Sequence, residues 1–339
     1  MTWMQLAGLG LTIVAGLAAG FCAAPMKWMR NYGFEHWALV SALTGMLILP
    51  WCLAAAFCPG LGDALAAVPW TVFLKANAWS LAWGVANVLC GLALVRIGFS
   101  LTVGLLTGVG LPVGVLLPML LKGSGQFAET PSLFTRTGAA MALLTLLLLA
   151  AVILMTRAGF EREKSQPKRP AGNGFKVGLI MSIVAGFCQV GLSFAFVYSQ
   201  GPLMAALQVR GASDSGAIAA VWAVTLPGGL LVNLGYPLWL MWRRNSFSAL
   251  FHAPDFLLSL VIGGLYVTLM LCMGNGMRML GPLGASLGFG IYQTFQILTS
   301  QGVGVVSGEW RNTSRQARLA MTLAVTLTLV GAVGMAMVK

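Results

Sequence analysis

The tetrapeptide AGFC at residues 19–22 returns as AGFC at residues 185–188, in the first and the sixth of ten apolar stretches along the chain. Further matches follow in the same order in both halves. They are Trp37-Ala38 with Trp222-Ala223, Cys90 with Cys272, Arg96 with Arg278, Arg136 with Arg315, and Ala140-Met141 with Ala320-Met321. A colinear series of this kind indicates an internal repeat of five stretches rather than one chance match.

Each apolar stretch is about 20 residues long, enough to cross about 30 Å of hydrocarbon as a helix. The predicted spans are 3–24, 37–57, 71–95, 98–121, 137–155, 175–198, 216–242, 256–280, 282–306 and 316–338. Composition agrees, because 58% of the residues are hydrophobic, only 8% are charged and the mean hydropathy is +0.86. The first span has no Lys or Arg before Lys27, unlike a secretory signal, so we expect it to be retained.

Five is an odd number, so the second copy of the repeat must enter the membrane from the opposite side. The sequence therefore predicts an all-α integral membrane protein of ten transmembrane helices, arranged as two inverted-topology five-helix repeats. The polar, turn-rich stretch around residues 159–173 is the natural boundary. We predict a first repeat at 1–158, a cytoplasmic linker at 159–173 and a second repeat at 174–339.

The net charge of +12 is distributed over the loops rather than gathered in one patch. Loops that follow odd-numbered spans hold 14 of the 20 Lys and Arg residues, which is the positive-inside pattern. This places both termini on the periplasmic side and makes nucleic-acid binding unnecessary. The six cysteines lie in or beside apolar spans without ligand spacing, so we expect no metal, no disulfide and no cofactor.

Spans four and nine are both rich in glycine and proline, as expected for the moving core of an inverted-repeat carrier, although close helix packing explains each glycine equally well. Polar and aromatic residues at helical spacing near mid-membrane predict an uncharged cavity that suits a polyol. The predicted substrate-binding residues are Trp79, Trp83, Asn87, Gln189, Ser193, Asn233, Tyr266, Tyr292, Gln293 and Gln296. Bonds between helices are the alternative role for each of them.

All eight acidic residues fall in loops or at span ends. A proton-coupled carrier normally needs a titratable group in its pathway, and the best candidates are Asp214, just before span seven, and Glu309, just after span nine. Either residue could instead cap a helix or pair with a neighbouring arginine.

Several segments, in order along most of the chain, resemble the L-rhamnose–proton symporter family of the drug/metabolite transporter superfamily. These segments are Ala24-Pro25-Met26-Lys27, Leu49-Pro50-Trp51, Trp83-Gly84 with Asn87 and Gly91-Leu92, Thr156-Arg157-Ala158-Gly159, Ser193-Phe194-Ala195, Asn233-Leu234-Gly235 and Gly308-Glu309-Trp310. The resemblance implies proton-driven uptake of a deoxy sugar, with Asn87, Asp214, Asn233 and Glu309 as the residues to test. The family carries an acidic residue and a histidine on span nine, whereas residues 285–298 here contain neither.

The sequence thus predicts a secondary active transporter for L-rhamnose or a related neutral sugar, working by proton symport and alternating access in a bacterial inner membrane. A drug/metabolite exporter or facilitator of the same fold is the alternative. An enzyme is not expected, because no convergent acid, base or metal site stands among the apolar spans. The expected partners are the sugar, the proton and the lipid bilayer, and association into a homodimer is left open.

Overall fold

A computed structural model describes residues 2–22, 24–120, 132–165, 174–281, 284–308, 310–311 and 313–338. The regular secondary structure in these ranges is entirely helical. Its α-helices are α1 (Trp3–Phe21), α2 (Phe34–Ala42), α3 (Leu49–Phe57), α4 (Leu61–Ala66), α5 (Trp70–Ile97), α6 (Phe99–Leu120), α7 (Arg136–Ser165), α8 (Gly174–Gln189), α9 (Gly191–Gln208), α10 (Asp214–Thr225), α11 (Pro227–Arg244), α12 (Ala253–Met279), α13 (Phe289–Val306) and α14 (Arg315–Met337).

Within the described ranges, eight helical segments are long and apolar enough to cross a membrane, and a ninth is obtained if α10 and α11 count as one bent span. A multi-pass membrane protein is therefore confirmed, while the count of ten spans is not. The remaining predicted span, 282–306, contains α13, which does not meet the same test. Three glutamines on α13, Gln293, Gln296 and Gln301, lower its hydropathy.

Two of the spans have a marked irregularity in the middle, in addition to the single turn residue Val190 that separates α8 from α9. The second is continuous from α2 to α3 but passes through a π-helical turn at Leu43–Ile48. Between α10 and α11 the chain bends by 50° next to Pro227, whose ring cannot continue a helix hydrogen-bond ladder. This second break frees backbone N–H groups at the start of α11, and these groups help to build the site described below.

The first helix of each half packs on helices of the other half. Helix α1 lies against α12 and α13, and α8 lies against α5 and α6. Glycine makes both approaches possible. A Cβ on Gly20 would come within 2.4 Å of the Thr299 Cβ on α13, and a Cβ on Gly186 would come within 2.6 Å of the Val109 Cβ on α6. These helices can contact one another closely only because the side chain is absent.

Side-chain contacts define two ends of the bundle. At the end we call the linker end, Lys27 bonds to Ser307, and Arg244 pairs with Glu35 at 3.0 Å. The buried Asp255 there accepts the backbone N–H groups of residues 30–32. At the opposite end, Arg278 pairs with Asp214 at 2.6 Å.

The predicted linker, 159–173, lies partly in a helix, because α7 continues to Ser165. Its remaining residues, 166–173, fall outside the described ranges. The division of the chain into two repeats at this point therefore stays a prediction.

Candidate functional site

A cavity of about 90 Å³ lies in the middle of the bundle, between helices from both halves of the chain. Since one water needs about 10–15 Å³ by this kind of measure, the cavity has room for several water molecules. Its wall consists of Ala19, Cys22, Trp37, Trp83, Ala86, Asn87, Cys90, Gly91, Leu94, Val103, Leu106, Gln189, Leu192, Ile262, Tyr266, Leu269, Tyr292 and Gln296. None of these residues carries a charge at neutral pH, so the site is suited to a neutral ligand.

One side of the cavity is organised by a chain of hydrogen bonds across three helices. The Tyr266 hydroxyl on α12 donates to Asn87 Oδ1 on α5 at 2.9 Å. Asn87 Nδ2 then donates to Asn233 Oδ1 on α11 at 2.8 Å, and Asn233 Nδ2 donates to the Gly229 carbonyl at 2.9 Å. The chain fixes the orientation of Asn87, which is the member that lines the cavity together with Tyr266.

The break at Pro227 explains why Asn233 reaches this position. The first N–H groups of a helix have no partner within the helix, and here α5 supplies the partners. Gly228 N donates to Asn77 Oδ1 at 2.7 Å, and Gly229 N donates to Ser80 Oγ at 3.0 Å. These bonds hold the start of α11 directly against α5, so that Asn233, about one turn further on, faces Asn87.

A second polar group is formed by three glutamines. Gln189 Nε2 on α8 donates to Gln293 Oε1 at 3.0 Å and to Gln296 Oε1 at 3.3 Å, both on α13. Gln189 Oε1 and Gln293 Nε2 are buried and have no hydrogen-bond partner within the described ranges. An unpaired acceptor beside an unpaired donor matches the two functions of one hydroxyl group or one water molecule.

The rest of the wall is apolar and aromatic. Trp83 stands edge-on to Tyr266, with the ring centroids 6.5 Å apart. Leu94, Val103 and Leu106 line the cavity from α5 and α6. The cavity therefore offers amide groups and hydroxyls for hydrogen bonds together with an aromatic and aliphatic surface for C–H groups.

The structure brings most of the sequence-predicted residues together. Six of them line the cavity, namely Trp83, Asn87, Gln189, Tyr266, Tyr292 and Gln296. Two more, Asn233 and Gln293, bond directly to that wall. Trp79 and Ser193 are not in the wall: Trp79 packs on Phe194 and Tyr198 of α9, and Ser193 is buried on the same helix.

Of the wall residues that were not predicted as site residues, three carry a nitrogen or sulfur atom in the side chain: Cys22, Cys90 and Trp37. The cysteines gave no signal, because free cysteine in an apolar span is ordinarily a small hydrophobic residue. Trp37 did stand in the repeated pair Trp37-Ala38 and Trp222-Ala223, but that pairing contains nothing that points to a cavity.

Of the two proton-coupling candidates, the structure describes only Asp214, and it lies away from the cavity. Asp214 begins α10 at the opposite end, where its carboxylate accepts Arg278 Nη1 at 2.6 Å and Gln208 Nε2 at 2.6 Å. This carboxylate is about half exposed and does not reach the central cavity. Glu309 lies outside the described residues.

A bundle of apolar helices around an uncharged polar cavity, with bonds that join both halves of the chain, defines a multi-pass membrane transporter for a small neutral solute. The profile of the family described as L-rhamnose-proton symport protein (RhaT) matches residues 4–339. The chain belongs to this family. Because the family consists of transporters, the prediction of a transporter rather than an enzyme is confirmed.

Curated relatives agree over nearly the whole chain. An L-rhamnose-proton symporter of Klebsiella pneumoniae subsp. pneumoniae is 25% identical over 339 residues, which cover 96% of this chain and 95% of that protein. One of Citrobacter koseri is 24% identical over 97% of both chains. One of Shigella flexneri is 24% identical over 96% of this chain and 95% of that protein.

Proposed function

We propose that this protein carries L-rhamnose or a closely related deoxy sugar into a bacterial cell together with protons, by alternating access. The observation that supports this function is the uncharged central cavity, whose amides and hydroxyls line one side and whose apolar surface lines another. The relatives named as L-rhamnose-proton symporters share nearly the full length of the chain.

The geometry suggests how the sugar would lie. Its hydroxyls would bond to the amide of Gln189, which lines the cavity and whose Oε1 has no partner within the described ranges. They would also replace one of the hydrogen bonds that Asn87 makes to Tyr266 and Asn233. A deoxy sugar also carries a methyl group, and the aliphatic wall at Val103 and Leu106 offers it a surface without polar atoms to satisfy. A hydroxyl in the same place would be left without a partner, which costs about 1–3 kcal/mol.

We also propose that the ten predicted spans form two inverted repeats. The cross-packing supports this arrangement, because α1 and α8 occupy equivalent places in the two halves and each lies on two helices of the other half. Their contacts match in detail, since Gly20 of α1 meets α13 and Gly186 of α8 meets α6, the helices of spans nine and four. Such paired interfaces allow one repeat to rock against the other around a central site.

We also propose an orientation, on the basis of the charges in the loops. The excess of Lys and Arg in loops after odd-numbered spans supports a cytoplasmic linker end and periplasmic termini. A cysteine introduced near residue 2 would then react with a membrane-impermeant maleimide in intact spheroplasts. If it reacted only after lysis, the N-terminus would be cytoplasmic and the proposed orientation would be wrong.

Proton coupling is proposed to act through Asp214, because no Asp, Glu or His belongs to the cavity wall that the structure describes. The same observation favours a facilitator as the second candidate function.

Uptake of labelled L-rhamnose into proteoliposomes distinguishes the symporter from the facilitator. The symporter accumulates sugar above the outside concentration when an inward proton gradient is imposed, and a protonophore abolishes this accumulation but leaves sugar exchange intact. Equilibration without accumulation under an intact gradient would establish the facilitator instead.

A further inference from the structure

A second pocket, outside the central cavity, lies at the linker end between the last turn of α13 and the first turns of α14. Its volume is about 330 Å³. It is lined by Val305, Trp310, Arg311, Arg318, Met321 and Thr322. Two of the six residues are arginines, and no acidic residue stands in the wall that is described.

Neither guanidinium group has a counter-ion among the residues that the structure describes. Within the described ranges, the side chains of Arg311 and Arg318 make no ion pair and no hydrogen bond. The first turn of α14 contains no acidic residue either, although Arg315 and Arg318 both stand close to its start. Since the N-terminus of a helix carries a partial positive charge, this arrangement concentrates positive charge that an anion would relieve.

The position of the pocket is set by Trp310. The Arg162 guanidinium at the end of α7 lies over the Trp310 ring at 5.3 Å, which fixes the pocket at the linker end of the bundle. Beside the arginines, Val305 is 58% exposed, and Met321 closes the inner side of the wall. A tryptophan and two arginines next to an exposed aliphatic surface are typical of the membrane interface, where the headgroups of the lipids lie above their acyl chains.

We propose that this pocket binds the phosphodiester headgroup of an anionic phospholipid from the membrane leaflet at the linker end. The planar guanidinium of arginine presents paired N–H donors that match the oxygens of a phosphate. The exposed side of Val305 would contact the first part of an acyl chain. Basic pockets next to membrane spans are favourable places for anionic headgroups, because the charge of the leaflet adds to the local attraction.

The test is a titration of the purified full-length protein, in a neutral detergent, with phosphatidylglycerol, while bound lipid is counted by native mass spectrometry. Removing an arginine next to the membrane weakens the attraction to anionic lipid by about 1 kcal/mol, or about fivefold. The double variant Arg311→Gln/Arg318→Gln should therefore need about 25-fold more phosphatidylglycerol to reach half occupancy. The variant Arg30→Gln/Arg157→Gln is the matched control, because it removes two exposed arginine charges at the same end but outside the pocket.

The control variant should bind phosphatidylglycerol like the wild type, and phosphatidylcholine should bind weakly to every variant. Equal losses in the two double variants would show diffuse attraction to the surface and overturn the site. If inorganic phosphate prevented the binding of phosphatidylglycerol at the concentrations at which the lipid itself binds, the pocket would be a site for free phosphate and not for a lipid. Unchanged lipid binding in Arg311→Gln/Arg318→Gln, with its melting temperature also unchanged, would exclude the pocket altogether.

Discussion

Replacing Asn87 by Ala tests whether the amide chain binds substrate or only joins helices. The change removes the bond from the Tyr266 hydroxyl, 2.9 Å long, and the bond to Asn233 Oδ1, 2.8 Å long. Each hydrogen bond contributes about 0.5–1.5 kcal/mol, so the loss of two amounts to about 1–3 kcal/mol. If the sugar takes over these bonds when it binds, its dissociation constant should rise by about 5- to 150-fold.

Asn77 provides the matched control, because it is the same residue type on the same helix and lies outside the cavity wall. Its amide accepts Gly228 N and donates to two backbone carbonyls, so Asn77→Ala should lower the melting temperature. Sugar affinity should stay close to that of the wild type, because Ser80 Oγ still accepts Gly229 N and keeps Asn233 opposite Asn87. Both variants would be compared by isothermal titration with L-rhamnose and by thermal unfolding in detergent. An Asn87→Ala protein that binds the sugar within twofold of wild type, yet melts as early as Asn77→Ala, would refute the reasoning and make Asn87 structural.

Three further predictions concern the same cavity and its surroundings. Gln189→Leu removes both bonds to α13 and should weaken L-rhamnose binding about tenfold in the same titration, since two neutral bonds are lost; an unchanged affinity would contradict a role in binding. L-Mannose, which has a hydroxyl where L-rhamnose has only hydrogen on the methyl carbon, should compete about 5- to 150-fold less well, and equal competition would exclude an apolar subsite at Val103. Gly20→Ala places a Cβ 2.4 Å from a side-chain carbon of α13 and should lower the free energy of unfolding by about 1–3 kcal/mol. The control Gly10→Ala, whose Cβ would have nothing within 4 Å, should melt like the wild type. Equal melting temperatures of the two variants would show that α1 can shift without cost.

Hydropathy was sufficient to recognise a multi-pass membrane protein, but not to count its spans. The long apolar runs survive as helices because every backbone group in a membrane must be bonded within the chain. Helix α13 is different, since it carries glutamines that bond to the neighbouring helix α8 rather than facing lipid. Its polarity is compensated only by tertiary contacts, so no window along the sequence could reveal that compensation.

The candidate site was predictable in part for the same reason. Helical spacing placed Trp79, Trp83 and Asn87 on one face of α5, and two of them do line the cavity. Trp79 instead contacts aromatic rings of α9, because that helix packs against the same face. The pairing of Gln189 with Gln293 joins residues 104 positions apart, and periodicity carries no information on which helix lies opposite another.

No carboxylate or histidine stands in the described cavity wall, and we propose that the proton acts on the sugar site from a distance, through Asp214. Asp214 begins α10, and Arg278 stands near the end of α12, so their ion pair ties these two helices together at the opposite end. Both helices lead to the cavity. Helix α12 carries Tyr266, about 18 Å from Arg278 along the axis, and α10 continues through its bend into α11.

The amide chain joins the same two segments a second time, because Asn87 bridges Tyr266 on α12 and Asn233 on α11. Arg278 holds the pKa of the Asp214 carboxyl below its ordinary value, so this carboxylate can take up a proton near neutral pH only in a conformation in which the ion pair is open. We propose that sugar binding at Asn87, which alters the other connection, favours that conformation. Linkage then requires reciprocity: if protons favour sugar binding, sugar must favour proton uptake.

We expect the wild-type protein to take up protons when L-rhamnose is added in weak buffer. The Asp214→Asn variant should bind the sugar without proton uptake. It should also lose gradient-driven accumulation of the sugar and keep sugar exchange. The exposed ion pair itself stabilises the fold by only about 0–1 kcal/mol, so this variant should remain folded. Proton uptake of wild-type size in Asp214→Asn would remove this carboxylate from the coupling mechanism.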